Sequence, residues 1–137
     1  MTGLALLKEH VAAMNRQGMA LEAWEHAGQP YVYVPAVPAC TPPWDRAAYD
    51  ILIAIPGAYD FAALDAFYFG LPYTFNGGTH PRVENGSIIE VSGRQWRLVS
   101  WHYPDGKPWQ AGRDTLGTHI VHCKGFFLHR GATNDYR

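Results

Sequence analysis

The chain has 137 residues, a formal net charge of −1, and 47% apolar against 17% charged side chains. That is a globular profile at the size of one domain, and it excludes a disordered chain. There is no polybasic run to track phosphates and no apolar stretch of the roughly 18 residues that a bilayer crossing takes, so neither nucleic acid nor membrane is expected as a partner.

From the N-terminus, Thr2 can cap a helix from about Gly3 to Gln17, with Leu4, Leu7, Val11 and Met14 on one stripe and Gly18 ending it. Lys8, Glu9 and His10 interrupt this segment, so it is not read as a signal peptide. Leu21 to His26 is expected as a short strand. Pro30 to Val37 is expected as a second, in which Pro35 cannot donate to a ladder and points to an edge or a strand end. Pro38 to Arg46 is a proline-fixed loop. Tyr49 to Ile55 is the clearest strand, with Tyr49, Ile51, Ile53 and Ile55 on one face and Asp50, Leu52 and Ala54 on the other. Leu64 to Leu71 gives a fourth strand, stopped by Pro72. Asn76 to Gly86 is a polar turn region. Ser87 to Val91 and Arg94 to Ser100 form a hairpin about Ser92-Gly93. His102 to Gly112 is an irregular loop. Asp114 can cap a last helix of roughly Thr115 to His129, whose stripe is Leu116, Ile120, Cys123 and Phe127. Sequential strands between two helices predict an α+β fold: an antiparallel four-stranded meander, plus an extra hairpin, with helices packed on it.

This order matches the ubiquitin-conjugating (UBC) fold, and two stretches sharpen the match. AYDILIAIPGAYDFAALDAFYF is similar to the third strand, tyrosine-proline turn and fourth strand of that fold, with Tyr59-Asp60 in place of Tyr-Pro and Ala62-Ala63 in place of later prolines. RQWRLVSWHYPDGKPWQAGRDTLGTHI resembles the tryptophan-rich block of a bacterial branch, the prokaryotic UBC-like family E, through Trp96, His102, Trp109, Gly112, Asp114 and Thr118-His119. The resemblance covers about Val32 to His129. It implies a place beside a ubiquitin-like protein and its activating enzyme. Ordinary members carry the modifier as a thioester on one cysteine, and bacterial relatives are typically encoded with those two partners and a metalloprotease.

The resemblance fails at the thiol. Ordinary members place His-Pro-Asn several residues before the cysteine; here the segment is His80-Pro81-Arg82, and the thiol position falls near Ile88 to Glu90 in a stretch with no cysteine. The two cysteines, Cys40 and Cys123, lie far apart, give no disulfide framework and fit a reducing cytoplasm. Cys123 on its helical stripe is expected to be buried and inert, and Cys40 to be a surface thiol in the proline loop. Either enters catalysis only if it forms a thioester.

A second chemistry comes from histidines. His119 and His122 adjoin on the last helix, and with His102 and Asp105 or Asp114 they could serve as a general acid-base cluster. They lack a metalloenzyme spacing, so no metal or other cofactor is expected, and the plainer reading is that His102 and His119 hold the loop on the helix. Trp96 is expected in the core, while Trp101, Trp109 and His80 are candidate binding residues. Three functions stay open: a UBC-like carrier or adaptor, inactive or with an unusual nucleophile; a small hydrolase or metal-assisted enzyme using His102, His119 and an aspartate; and a purely structural interaction domain.

Overall fold

The computed structural model describes residues 3–56, 64, 66–80, 83, 86–99, 110 and 113–128. Helix α1 (Gly3–Arg16) turns Leu7 and Val11, one helical turn apart, into the core and places Met14 at its margin. Past Gly18, at φ +100°, the chain reaches the sheet through Asn15, whose Oδ1 accepts from the Leu21 N–H at 2.8 Å and whose amide donates to the Leu21 carbonyl at 3.0 Å. One side chain therefore fixes where the first strand begins.

The strands are β1 (Glu22–His26), β2 (Gln29–Pro38), β3 (Ala48–Ala54), β4 (Phe67–Gly70), β5 (Ile88–Val91) and β6 (Arg94–Val99); helix α2 (Leu116–Leu128) follows. All pairings are antiparallel, in the order β1-β2-β3-β4-β6-β5. The expected four-stranded meander is present, and the hairpin joins it through its second strand, so β6 and not β5 lies against β4. The fold is α+β with UBC-like architecture.

One strand detail differs from expectation and another refines it. β4 starts at Phe67; Leu64 is buried but outside the ladder. Pro35 lies inside β2 and not at its end, but beyond Tyr33, the last residue paired with β1, so it has a strand on one side alone. β2 pairs with β3 as Val34↔Ile51 and then Val37↔Tyr49, so three steps on β2 match two on β3. That bulge takes up Pro35, which has no N–H to offer, and Ala36, at φ +52°. The Ala36 N–H donates to Asp50 Oδ1 at 2.8 Å.

Both helices cover one face of the sheet. A Cβ at Gly117 of α2 would lie 3.7 Å from Met14 Cε of α1. Beneath them lie Val32, Val34, Ile51, Ile53, Phe67 and Phe69. The centre of this core is a residue of the proline loop: Trp44, 1% exposed, has its ring 5.1–5.9 Å from those of Tyr49, Phe69, Tyr73, Phe75, His80, Phe126 and Phe127. Its buried Nε1–H meets no acceptor among the described residues, so packing alone holds the ring.

The other face has no helix over it among the described residues, yet Trp96 is fully buried there with Tyr31, Leu52 and Val91. Trp96 is a core residue as expected, on the side away from the helices. Its ring lies 6.1 Å from that of Trp24, which stacks on Tyr33 at 4.5 Å and 7°. In a flat sheet β1 and β6, four spacings of about 4.8 Å apart, would be separated by about 19 Å. The ring contact therefore requires a sheet curled around this face.

Candidate functional site

The segment between β4 and β5 is clamped at short intervals. Phe75 bridges to both Trp44 and Gly78. His80 follows, 3% exposed, with its ring 5.6 Å from Trp44 (12° between planes), 4.5 Å from Phe75 and 4.7 Å from Phe126. Its peptide N–H donates to Tyr73 Oη at 3.2 Å. The His80 carbonyl accepts from Val83 N–H, and the Val83 carbonyl from Gly86 N–H, each at 3.0 Å. Arg97 Nη1 of β6 also donates to the Val83 carbonyl, at 2.9 Å. At Gly86 a Cβ would fall 2.1 Å from the Leu98 carbonyl oxygen, so no side chain fits between this segment and β6. His80, named from sequence as a binding residue, is thus packed among core rings and offers no surface for a partner; Pro81 and Arg82 lie outside the described residues. The positions expected to carry a thiol, Ile88 to Glu90, form the outermost strand of the sheet, with Ile88 and Glu90 exposed.

On α2 the capping differs from expectation. The Thr115 N–H donates to Thr118 Oγ1 at 2.9 Å, one half of a capping box, and the same Thr118 hydroxyl donates to the Thr115 carbonyl at 3.0 Å. The Asp114 carboxylate reaches both ways: its Oδ2 accepts from Gln110 N–H at 2.7 Å and from Arg113 Nη2 at 3.3 Å, and the Thr118 side chain also bonds to it. Burial opposes its charge, but these donors outweigh it and hold the carboxyl below its ordinary value. His119 is fully buried, with Nε2 3.2 Å from the Ala66 carbonyl. A carbonyl only accepts, so that nitrogen carries the proton, and the ring ties α2 to the approach of β4. His122 lies beside it, ring centroids 5.8 Å apart. Among the described residues the contacts of Asp114 and His119 are separate, and no three potential ligands could hold a metal. His102, Trp101, Trp109, Asp105, Gly112 and the turn at Tyr59-Asp60 and Ala62-Ala63 fall outside the described residues.

The two sulfurs differ. Cys123 is fully buried, and burial pushes its thiol well above the ordinary value. Cys40 is half-buried at the other end of α2 from Asp114: its N–H donates to the Phe127 carbonyl at 2.9 Å and its Sγ to the Leu128 carbonyl at 3.0 Å, closing off the end of the helix.

Two features were missed from sequence. A cleft of about 330 Å³ opens beside the clamped segment, lined by Leu71, Pro72, Tyr73, Thr79, Gln95 and Arg97. Its polar residues come from β6 and from the residue before His80, a meeting that only the β4–β6 pairing creates. On the curled face, Asp50 Oδ2 accepts from Tyr33 Oη at 2.8 Å and from Arg94 Nη1 at 3.0 Å, and the Arg94 guanidinium lies 4.6 Å over the Trp96 ring. Burial raises the Asp50 carboxyl, but the Ala36 N–H, the Tyr33 hydroxyl and Arg94 outweigh it and lower it. Burial and the Asp50 carboxylate push the Tyr33 phenol up. The spacing of Asp50 and Arg94, 44 residues apart, carries no signal of this pairing.

Among the described residues no helix is long and apolar enough to cross a membrane. The family model for Prokaryotic E2 family E matches residues 6–127. No curated protein and no solved structure is matched.

Proposed function

The chain belongs to the prokaryotic E2 family E, and from that membership we propose a non-catalytic docking role in a ubiquitin-like modification pathway. As a single UBC-like domain over residues 1–137, acting in the cytoplasm, it binds the ubiquitin-like protein, the activating enzyme, or both, and does not carry the modifier as a thioester. Membership by itself supports a UBC-like role beside such a pathway; the docking role rests on the disposition of the sulfurs.

Thioester exchange takes an exposed thiolate with donors placed for the oxyanion. The exposed positions at Ile88 to Glu90 carry no sulfur. Cys123 is sealed in the core with its thiol held protonated by burial. Cys40 holds the end of α2. The cleft beside Thr79, with Gln95 and Arg97 on one wall, is a surface on which a partner could rest; Trp101 and Trp109, the binding residues named from sequence, lie outside the described residues. The hydrolase reading finds no support in His119, whose described ring nitrogen faces a main-chain carbonyl.

The test mixes the purified chain with the activating enzyme, ATP and the ubiquitin-like protein of its gene neighbourhood. The expected outcome is binding by calorimetry and no thiol-reducible adduct on a gel. An adduct that disappears in Cys40→Ser or Cys123→Ser overturns the non-catalytic half of the reading. Absence of binding to either protein overturns the docking half.

A further inference from the structure

β1 and β5 are the two edges of the sheet, and they are built differently. β1 carries Glu22 and Glu25 within five residues, a charged edge of the kind that discourages pairing. β5 reads IIEV, and its Ile88 is 48% exposed.

The register says which backbone groups of β5 face outward. The hairpin turns on Ser92-Gly93, both with positive φ (56° and 74°), the two-residue turn that makes its flanking residues Val91 and Arg94 a hydrogen-bonded pair. Alternation then makes Ile89↔Trp96 and Ser87↔Leu98 hydrogen-bonded pairs, and the Leu98 N–H does donate to the Ser87 carbonyl at 2.8 Å. Ile88 and Glu90 are left with N–H and C=O directed away from β6. Among the described residues no strand takes them up.

We propose that β5 is a self-pairing edge, and that a second copy of this chain adds its own β5 antiparallel across a two-fold axis at Ile89. The pattern is self-complementary: Ile88 of each copy faces Glu90 of the other, and each such pair exchanges two main-chain hydrogen bonds, four in all. The axis sets the two Ile89 side chains side by side at the close, non-hydrogen-bonded position, where β-branched pairs pack well. Each Glu90 stem covers the other copy's exposed Ile88, and the two carboxylates lie diagonally, not opposite one another. A ladder this short makes a weak dimer, populated at roughly 100 μM and above. The proposal is independent of the pathway reading.

Sedimentation of the full chain from roughly 10 μM to 1 mM tests it. Glu90→Pro removes an outward N–H and leaves the β5–β6 ladder intact, because that N–H does not face β6. The expected result is a concentration-dependent dimer in the native chain and at least about a tenfold weaker one in Glu90→Pro, with unchanged circular dichroism. Amide exchange gives a second readout on the native chain: the Ile88 and Glu90 N–H groups should exchange more slowly as concentration rises. A native chain that stays monomeric throughout overturns the proposal, as does a dimer untouched by Glu90→Pro. A monomer that binds its ubiquitin-like protein through this edge, with binding lost in Glu90→Pro, would assign the edge to a partner strand and also overturn it. Should the variant not fold, exchange at Ile88 and Glu90 that ignores concentration overturns it.

Discussion

The two faces of the sheet solve the same problem by different means. On one, two helices lay apolar side chains over the strands, and Trp44 fills the middle of a dry aromatic core. On the other, the sheet bends until its own rings meet, with Trp24 and Tyr33 stacked at one side, Trp96 at the other, and Arg94 reaching across to Asp50. The first face depends on volume and water exclusion. The second depends on curvature and on a partly exposed ion pair, whose Asp50 carboxylate ties it to acid pH. Burial on this face comes from curvature, so strand propensity alone would not find it.

That contrast can be broken most forcefully at its two tryptophans. Trp44→Ala removes the ring at the centre of the helix-covered core and should cost about 4 kcal/mol of unfolding free energy; Trp96→Ala on the curled face should cost about 3 kcal/mol. Urea unfolding of both variants checks the order, and a larger loss at Trp96 would reverse the ranking of the faces. Asp50 sharpens the comparison next. Its folded-state carboxyl is lowered, so its contribution is present above the ordinary carboxylate value and is lost as pH falls through that value toward the folded one. Asp50→Asn should cost about 1 kcal/mol at neutral pH, little because Arg94 is 40% exposed, and should flatten the loss of stability in acid. Unfolding curves across the acid range read this, and an unchanged acid slope in the variant would remove Asp50 as a source of the acid response on the curled face. The smallest effect is expected on the outer side of α2, where Val121 is 67% exposed: Val121→Ser should shift stability by no more than about 0.5 kcal/mol.

Local pattern carried the helices, the β3 alternation and the hairpin turn, because each is set by neighbours in sequence. Alternation also showed that Trp96 is buried, but it says only which residues share a face, not which face meets the helices. The pairing of β4 with β6 was hidden for the same reason: hydrogen bonding between distant segments leaves no periodic mark. Trp44 follows two prolines in a segment that reads as a loop, and nothing local says that its ring turns into the core. At the site, the inert setting of Cys123 follows from its helical stripe, while the burial of His80 depends on rings from three separate segments. Asp114 was expected as the cap because Asp is a strong one; its carboxylate is shared among the Gln110 N–H, Arg113 and Thr118, while the Thr118 hydroxyl takes the Thr115 N–H.

The Asp50 carboxylate keeps count for the strand beside it. By holding the Ala36 amide, it retains the one additional residue that lets Val34 and Val37, three apart, both look toward the helices. Without that tally, a strand with a period of two would turn Val37 to water, and the chain beyond it would enter the proline loop half a turn out of phase, carrying Trp44 away from the slot it fills.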